Sequence, residues 1–130
     1  MKILFLLFFL LSFLPAQMVV VTKSDSQIGT LAKEIVQYLY LGKLDTIDGV
    51  RVRVLISKDR ALHSEFCDAI LEKSESQYNS YWARLVFTGK KPMAKRLSAQ
   101  EIQEQMQEKN TITYIKKSEL KKGWRIVYEE

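Results

Sequence analysis

Apolar residues fall into short runs whose spacing changes along the chain, and that spacing predicts the elements. Met18 to Thr22 is apolar on both faces, as a central strand covered by helices on both sides should be. A polar turn, Lys23-Ser24-Asp25-Ser26, follows it. Ile28, Leu31, Ile35, Val36 and Leu39 then recur at helical spacing, and the helix should end by Gly42. Strand, short loop and helix read as the first half of a βαβ unit. Asp48-Gly49 marks a turn before a second strand from Val50 to Ser57, whose alternating arginines place one face or end nearer solvent.

After Lys58-Asp59-Arg60 a helix carries Leu62, Phe66, Ala69 and Ile70 on one side. A second helix is bounded locally, by a capping box of Ser74 with Gln77 and by Gly89 at its end. Its stripe of Tyr78, Tyr81, Trp82, Leu85 and Val86 must be buried against an apolar surface, expected to be a sheet. Gly89 to Leu97 reads as a basic loop. Ser98 with Glu101 opens another capped helix, through about Lys109, with a narrow buried stripe at Ile102 and Met106. Thr111 to Ile115 is a third strand, Lys116 to Lys122 a short turn or helix, and Trp124 to Tyr128 a fourth strand. The expected architecture is α/β: a three-layer sandwich with a small mixed sheet of about four strands and helices on both faces.

The amino terminus bears on location. Met1-Lys2, the apolar run Ile3 to Leu14 and Pro15-Ala16 form a secretory signal pattern, too short to match the roughly 20 apolar residues of a membrane span. Residues 1–16 are therefore expected to be a cleaved signal peptide and residues 17–130 a single domain, periplasmic and without a stable membrane span. The chain has 20 Lys+Arg and 15 Asp+Glu; loss of Lys2 leaves 19 against 15, a net +4. Lysine pairs beside turns read as solvated loop edges that can attract small anions, anionic lipid or acidic partners. No aromatic-plus-basic motif points to nucleic acid. The lone Cys67 cannot form an internal disulfide and reads as a buried, inert thiol.

No nucleophile-and-base pair stands out, so neither an enzyme nor a cofactor is expected. His63, the only histidine, is expected on a helix surface, with no metal role. Trp82 and Trp124 read as core residues.

The run Tyr81-Trp82-Ala83-Arg84-Leu85-Val86-Phe87-Thr88-Gly89-Lys90, with Ser74 and Phe66 before it, resembles short exported proteins of the phosphate ABC transporter substrate-binding-like family. Tyr40-Leu41-Gly42-Lys43 resembles that family's Phe-Leu-Gly-Lys segment. Thr111 to Ile115 falls where the family has a Gly-Ala-Ile-Gly-Tyr-Val strand. The resemblance implies one lobe of the type 2 periplasmic binding protein fold, and a domain that binds phosphate or another small oxyanion in connection with ABC-type transport. Full-length members hold the anion in a Gly-Ser-Gly-Thr turn at a helix start; here residues 57–64 contain no glycine.

Open α/β sheets place ligands at the carboxyl ends of their strands, which selects the loops after the first two strands. Ser24, Ser57 and Ser64 would donate hydroxyl hydrogen bonds, and Lys58 and Arg60 would supply charge. The same residues also suit caps and turns for local reasons. The expected partners are a small oxyanion, an ABC transporter or other envelope protein, and a second copy of the chain that restores a two-sided cleft. The alternative function is an envelope protein-protein interaction module that has lost ligand binding.

Overall fold

The structure is a computed structural model and describes residues 17–130, so the expected signal peptide lies outside the described residues. The first strand, β1 (Met18–Lys23), pairs on both edges, as expected of a central strand. Its alternation explains why both faces are apolar. Met18 and Val20 enter one core with Ile112 and Tyr114, while Val19 and Val21 enter a second core with Leu55, Leu97 and Ile115. All the fully buried residues of these cores lie between Met18 and Val127.

The first helix, α1 (Lys33–Tyr40), starts later than its periodicity suggests. Ile28 and Leu31 are buried in extended chain, with the Leu31 amide donating to the Val127 carbonyl at 2.8 Å. Tertiary hydrogen bonding thus overrides the helical spacing there.

The expected strand from Val50 to Ser57 is divided among three pairings. Asp48 (φ 49°) and Gly49 (φ 79°) make a two-residue turn of the type favoured in hairpins, joining β2 (Thr46–Ile47) to β3 (Val50–Arg51). Next, β4 (Arg53–Val54) enters the main sheet beside β7 (Thr111–Lys116). Then β5 (Ile56–Ser57) turns away to pair in parallel with β6 (Arg96–Leu97), a strand within the expected basic loop.

The main sheet has the order β4-β7-β1-β8, with β8 at Trp124–Glu129. Only β4 and β7 run parallel; β1 is antiparallel to both neighbours. The expected βαβ unit opening on β1 therefore does not form, because β7 lies between β1 and β4. The parallel crossover runs instead from β4 to β7.

That crossover carries α2 (Arg60–Phe66), which continues as a π-helical turn, Cys67–Leu71, that Glu72 ends in the left-handed region at φ 56°. Next comes α3 (Glu75–Phe87), with the complete Ser74 and Gln77 capping box, and Gly89 at φ 70° beyond its end. The last helix, α4 (Ala99–Gln105), has the Ser98 and Glu101 box. It is shorter than expected, and Asn110 (φ 61°) ends the turns that follow. The layers are as anticipated: α1, α2 and α3 cover one face, and Ile102 and Met106 from the α4 region cover the other. A 3-10 turn, Lys117–Glu119, links β7 to β8.

Candidate functional site

The loop from β5 into α2 is built on the hydroxyl of Tyr114, from the middle of the sheet. Tyr114 Oη accepts the Ser57 amide hydrogen at 2.9 Å, fixing the point where β5 ends. The next amide, Lys58, donates to the Leu97 carbonyl at 2.8 Å, and the Asp59 amide donates to Ser57 Oγ at 3.0 Å. Asp59 then caps α2, its carboxylate accepting from the Leu62 amide at 3.2 Å. Among the described residues, Arg60 and Ala61 are the amides of this helix start left without an internal acceptor. Ser57 Oγ acts as an acceptor here, so its own proton is available to a ligand.

Behind the loop lies a buried polar chain. Tyr114 Oη is 2.6 Å from Nδ1 of His63, and Nε2 of His63 is 3.6 Å from Sγ of Cys67. Tyr114, already accepting from Ser57, also hydrogen-bonds His63 Nδ1, and the tautomer of the imidazole sets which of the two donates. Burial lowers the His63 pKa, Arg96 lowers it further and Glu75 opposes them. The same burial pushes the Cys67 thiol up to about 12 and raises the Tyr114 phenol. His63 is only 1% exposed, which corrects the expectation of a surface residue. Cys67, four positions on, shares its helix face. The thiol is buried as expected.

Ser57, Asp59, Leu62 and Tyr114 form one wall of a cavity of about 420 Å³; Ile102, Lys121 and Trp124 lie across it. Lys58 and Arg60 stand exposed on the loop beside it, with Lys58 Nζ 4.0 Å from a Glu101 carboxylate oxygen. Ser64 sits a turn further along α2, half-buried and outside the cavity lining. Ser24 is at the other end of the sheet, because β1 runs antiparallel to β4. There its amide donates to the Gly123 carbonyl at 2.8 Å, and its carbonyl accepts from Arg125 Nε at 3.2 Å. Of the two loops singled out by the sequence, only the second borders this cavity, and of its candidate residues only Ser57 lines it.

A larger cavity, about 710 Å³, follows the edge strand between Arg51 and Leu55 and is walled by charges of both signs, including Arg53, Lys95, Asp45 and Glu108. No group of three or more His, Cys, Asp or Glu residues among the described residues could hold a metal ion.

Sequence reasoning missed Tyr114 and Asp59 as organisers of the loop. Asp59, three positions before Leu62, carried a capping signal. The helical spacing of His63 and Cys67 could have shown that they share a face. Nothing local could have joined Tyr114 to Ser57, 57 positions away.

No family model matches the chain, and no curated protein matches it in sequence. Solved structures do match. One is of a protein assigned as a phosphate ABC transporter substrate-binding protein from Clostridium perfringens, with phosphate bound; at 15% identity and a TM-score of 0.64 the match covers 86% of this chain and 45% of that one. The second is an ABC-type phosphate transport receptor from Vibrio cholerae, at 10% identity and a TM-score of 0.52, covering 86% of this chain and 46% of the receptor. This chain has the fold of a portion of a periplasmic substrate-binding protein. It spans less than half the length of these neighbours, which are transport proteins rather than enzymes. Among the described residues, no helix is long and apolar enough to cross a membrane.

Proposed function

We propose that the chain is an exported solute-binding-like domain that takes up a small oxyanion such as phosphate at the β5–α2 loop, in connection with ABC-type transport. The observation that carries this reading is Ser57. Its hydroxyl proton is free to donate at the wall of the cavity, at a helix start where the Arg60 and Ala61 amides are also unclaimed. Lys58 and Arg60 add positive charge beside it, and a helix start favours an anion. Ser64, a turn further along α2, lies outside the cavity lining. Ser24 takes no part, being at the far end of the sheet. The phosphate bound by the Clostridium perfringens neighbour supports the ligand class.

Affinity is weak in this reading. Ser57, Lys58, Asp59 and Leu62 already spend their amides inside the protein, and two carboxylates, Asp59 and Glu119, line the same cavity. A second half of the cleft, supplied by a second copy or a transporter subunit, would complete the anion's shell. The periplasmic site of action follows from the signal pattern in residues 1–16.

The test is isothermal titration of the chain from Gln17 with phosphate, then sulfate, at low ionic strength. Saturable heat that disappears in Arg60→Ala and in Ser57→Ala is the expected result. A folded sample giving no heat up to millimolar anion would overturn the proposal.

A further inference from the structure

The end of α3 runs past the core. Tyr78 and Trp82 are buried and Leu85 is half-buried, but Val86 is 45% exposed and Phe87, the last helical residue, is 93% exposed. Val86 and Phe87 together leave apolar surface at the helix end that a partner surface can cover. The loop after it is held at both ends. Lys91 Nζ donates to the Gly42 carbonyl at 2.6 Å, and Arg96 donates to Asn79 Oδ1 at 2.8 Å and reaches Glu75 at 3.4 Å. Arg84 and Lys90, three positions either side of Phe87, are exposed, as are Met93 and Lys95 further along the loop. From Ser76 to Gln100 the chain contains no Asp or Glu. Glu75 is engaged by Arg96, and Asp45 lines a groove with Lys95.

We propose that this tip docks on an anionic lipid surface. Val86 and Phe87 enter the boundary between headgroups and acyl chains, and Arg84 and Lys90 meet lipid phosphates. The charge pattern selects lipid over a folded protein. A protruding ring with Arg84 and Lys90 close to it in a stretch of chain free of Asp and Glu matches a fluid surface of uniform negative charge. A protein partner of stable geometry would call for a broader buried apolar centre. The proposal is independent of oxyanion binding, which it places on a different part of the molecule.

The experiment is cosedimentation of the chain from Gln17, which contains both cores, with phosphatidylcholine vesicles and with mixed phosphatidylcholine and phosphatidylglycerol vesicles. Binding should require phosphatidylglycerol and weaken as salt is raised. Arg84→Ala and Lys90→Ala should each lower the partition coefficient about fivefold. Phe87→Ser should lower it as well, whereas Lys121→Ala with Lys122→Ala, on the β7–β8 turn, should change it little. All these side chains are exposed, so circular dichroism should show the fold retained. Failure to sediment, equal binding to both vesicle types, or equal loss from the Lys121 and Lys122 pair would overturn the proposal. So would inert vesicles together with capture of an acidic protein.

Discussion

Tyr114 and Ser57 meet across 57 positions of sequence, the phenol accepting the backbone amide hydrogen at 2.9 Å where β5 gives way to α2. The contact fixes Ser57 at the end of its pairing with Leu97, immediately before the Lys58 amide bonds the Leu97 carbonyl. Phe66 stacks on the Tyr114 ring with centroids 3.9 Å apart, so the phenol is fixed from the apolar side as well.

Removing that hydroxyl separates its two roles. Tyr114→Phe keeps the stacking ring and strands the Ser57 amide and His63 Nδ1 in a buried place. A cost of roughly 1–3 kcal/mol is expected, read as a lower denaturant midpoint with an unchanged slope. Weakened anion binding should accompany it.

The neutral state of His63 makes stability depend on pH. Burial, and then Arg96, hold its pKa below the ordinary 6.5, with Glu75 opposing. The unfolded chain therefore takes up this proton first as the solution is acidified. The contribution is complete above 6.5 and is lost as pH falls from there toward the folded pKa. Melting temperature should drop as the pH falls below 6.5, and His63→Gln should flatten that part of the profile. A slope unchanged in the variant would show that other groups produce it.

Gly42 sits at φ 68°, and a Cβ there would meet Trp82 Cη2 at 2.8 Å. Gly42→Ala combines a left-handed backbone cost of about 1–2 kcal/mol with crowding of the indole. A loss of at least about 2 kcal/mol is expected by chemical denaturation. The Trp82 fluorescence should change with it, since the Trp82 Nε1–H donates to the Tyr40 carbonyl at 3.1 Å directly beside this turn.

Thr113 offers the opposite sign. Its hydroxyl is buried with no hydrogen-bond partner, on a strand whose neighbours Val21 and Ile115 belong to the apolar core. Thr113→Val replaces the hydroxyl by a methyl group of similar size and should stabilise the protein by roughly 1 kcal/mol. A destabilised variant would mean that the hydroxyl is satisfied by water.

How much of this was legible followed the range of each interaction. The capping boxes at Ser74 and Ser98 and the Asp48-Gly49 turn are written within a few residues, and they form as the sequence indicates. Met18 to Thr22 announced its central position because both of its faces are apolar. The order and direction of strands are decided by which edges meet after the chain has crossed the sheet. Assuming a parallel unit from β1 brought Ser24 to the same end as Ser57, whereas the insertion of β7 puts them at opposite ends. The burial of His63 was hidden for the same reason, since its partner Tyr114 is 51 positions away.

The central claim is that an oxyanion binds at the β5–α2 loop. It is tested most directly by following backbone amide NMR signals of the chain from Gln17 as phosphate is added at constant ionic strength. The account predicts saturable shifts concentrated at Arg60 and Ala61, with smaller ones at Ser57 and Lys58, and none at Ser24. Shifts confined to the Ser24 loop or to lysine-rich turns, or no saturable shift at all, would contradict it.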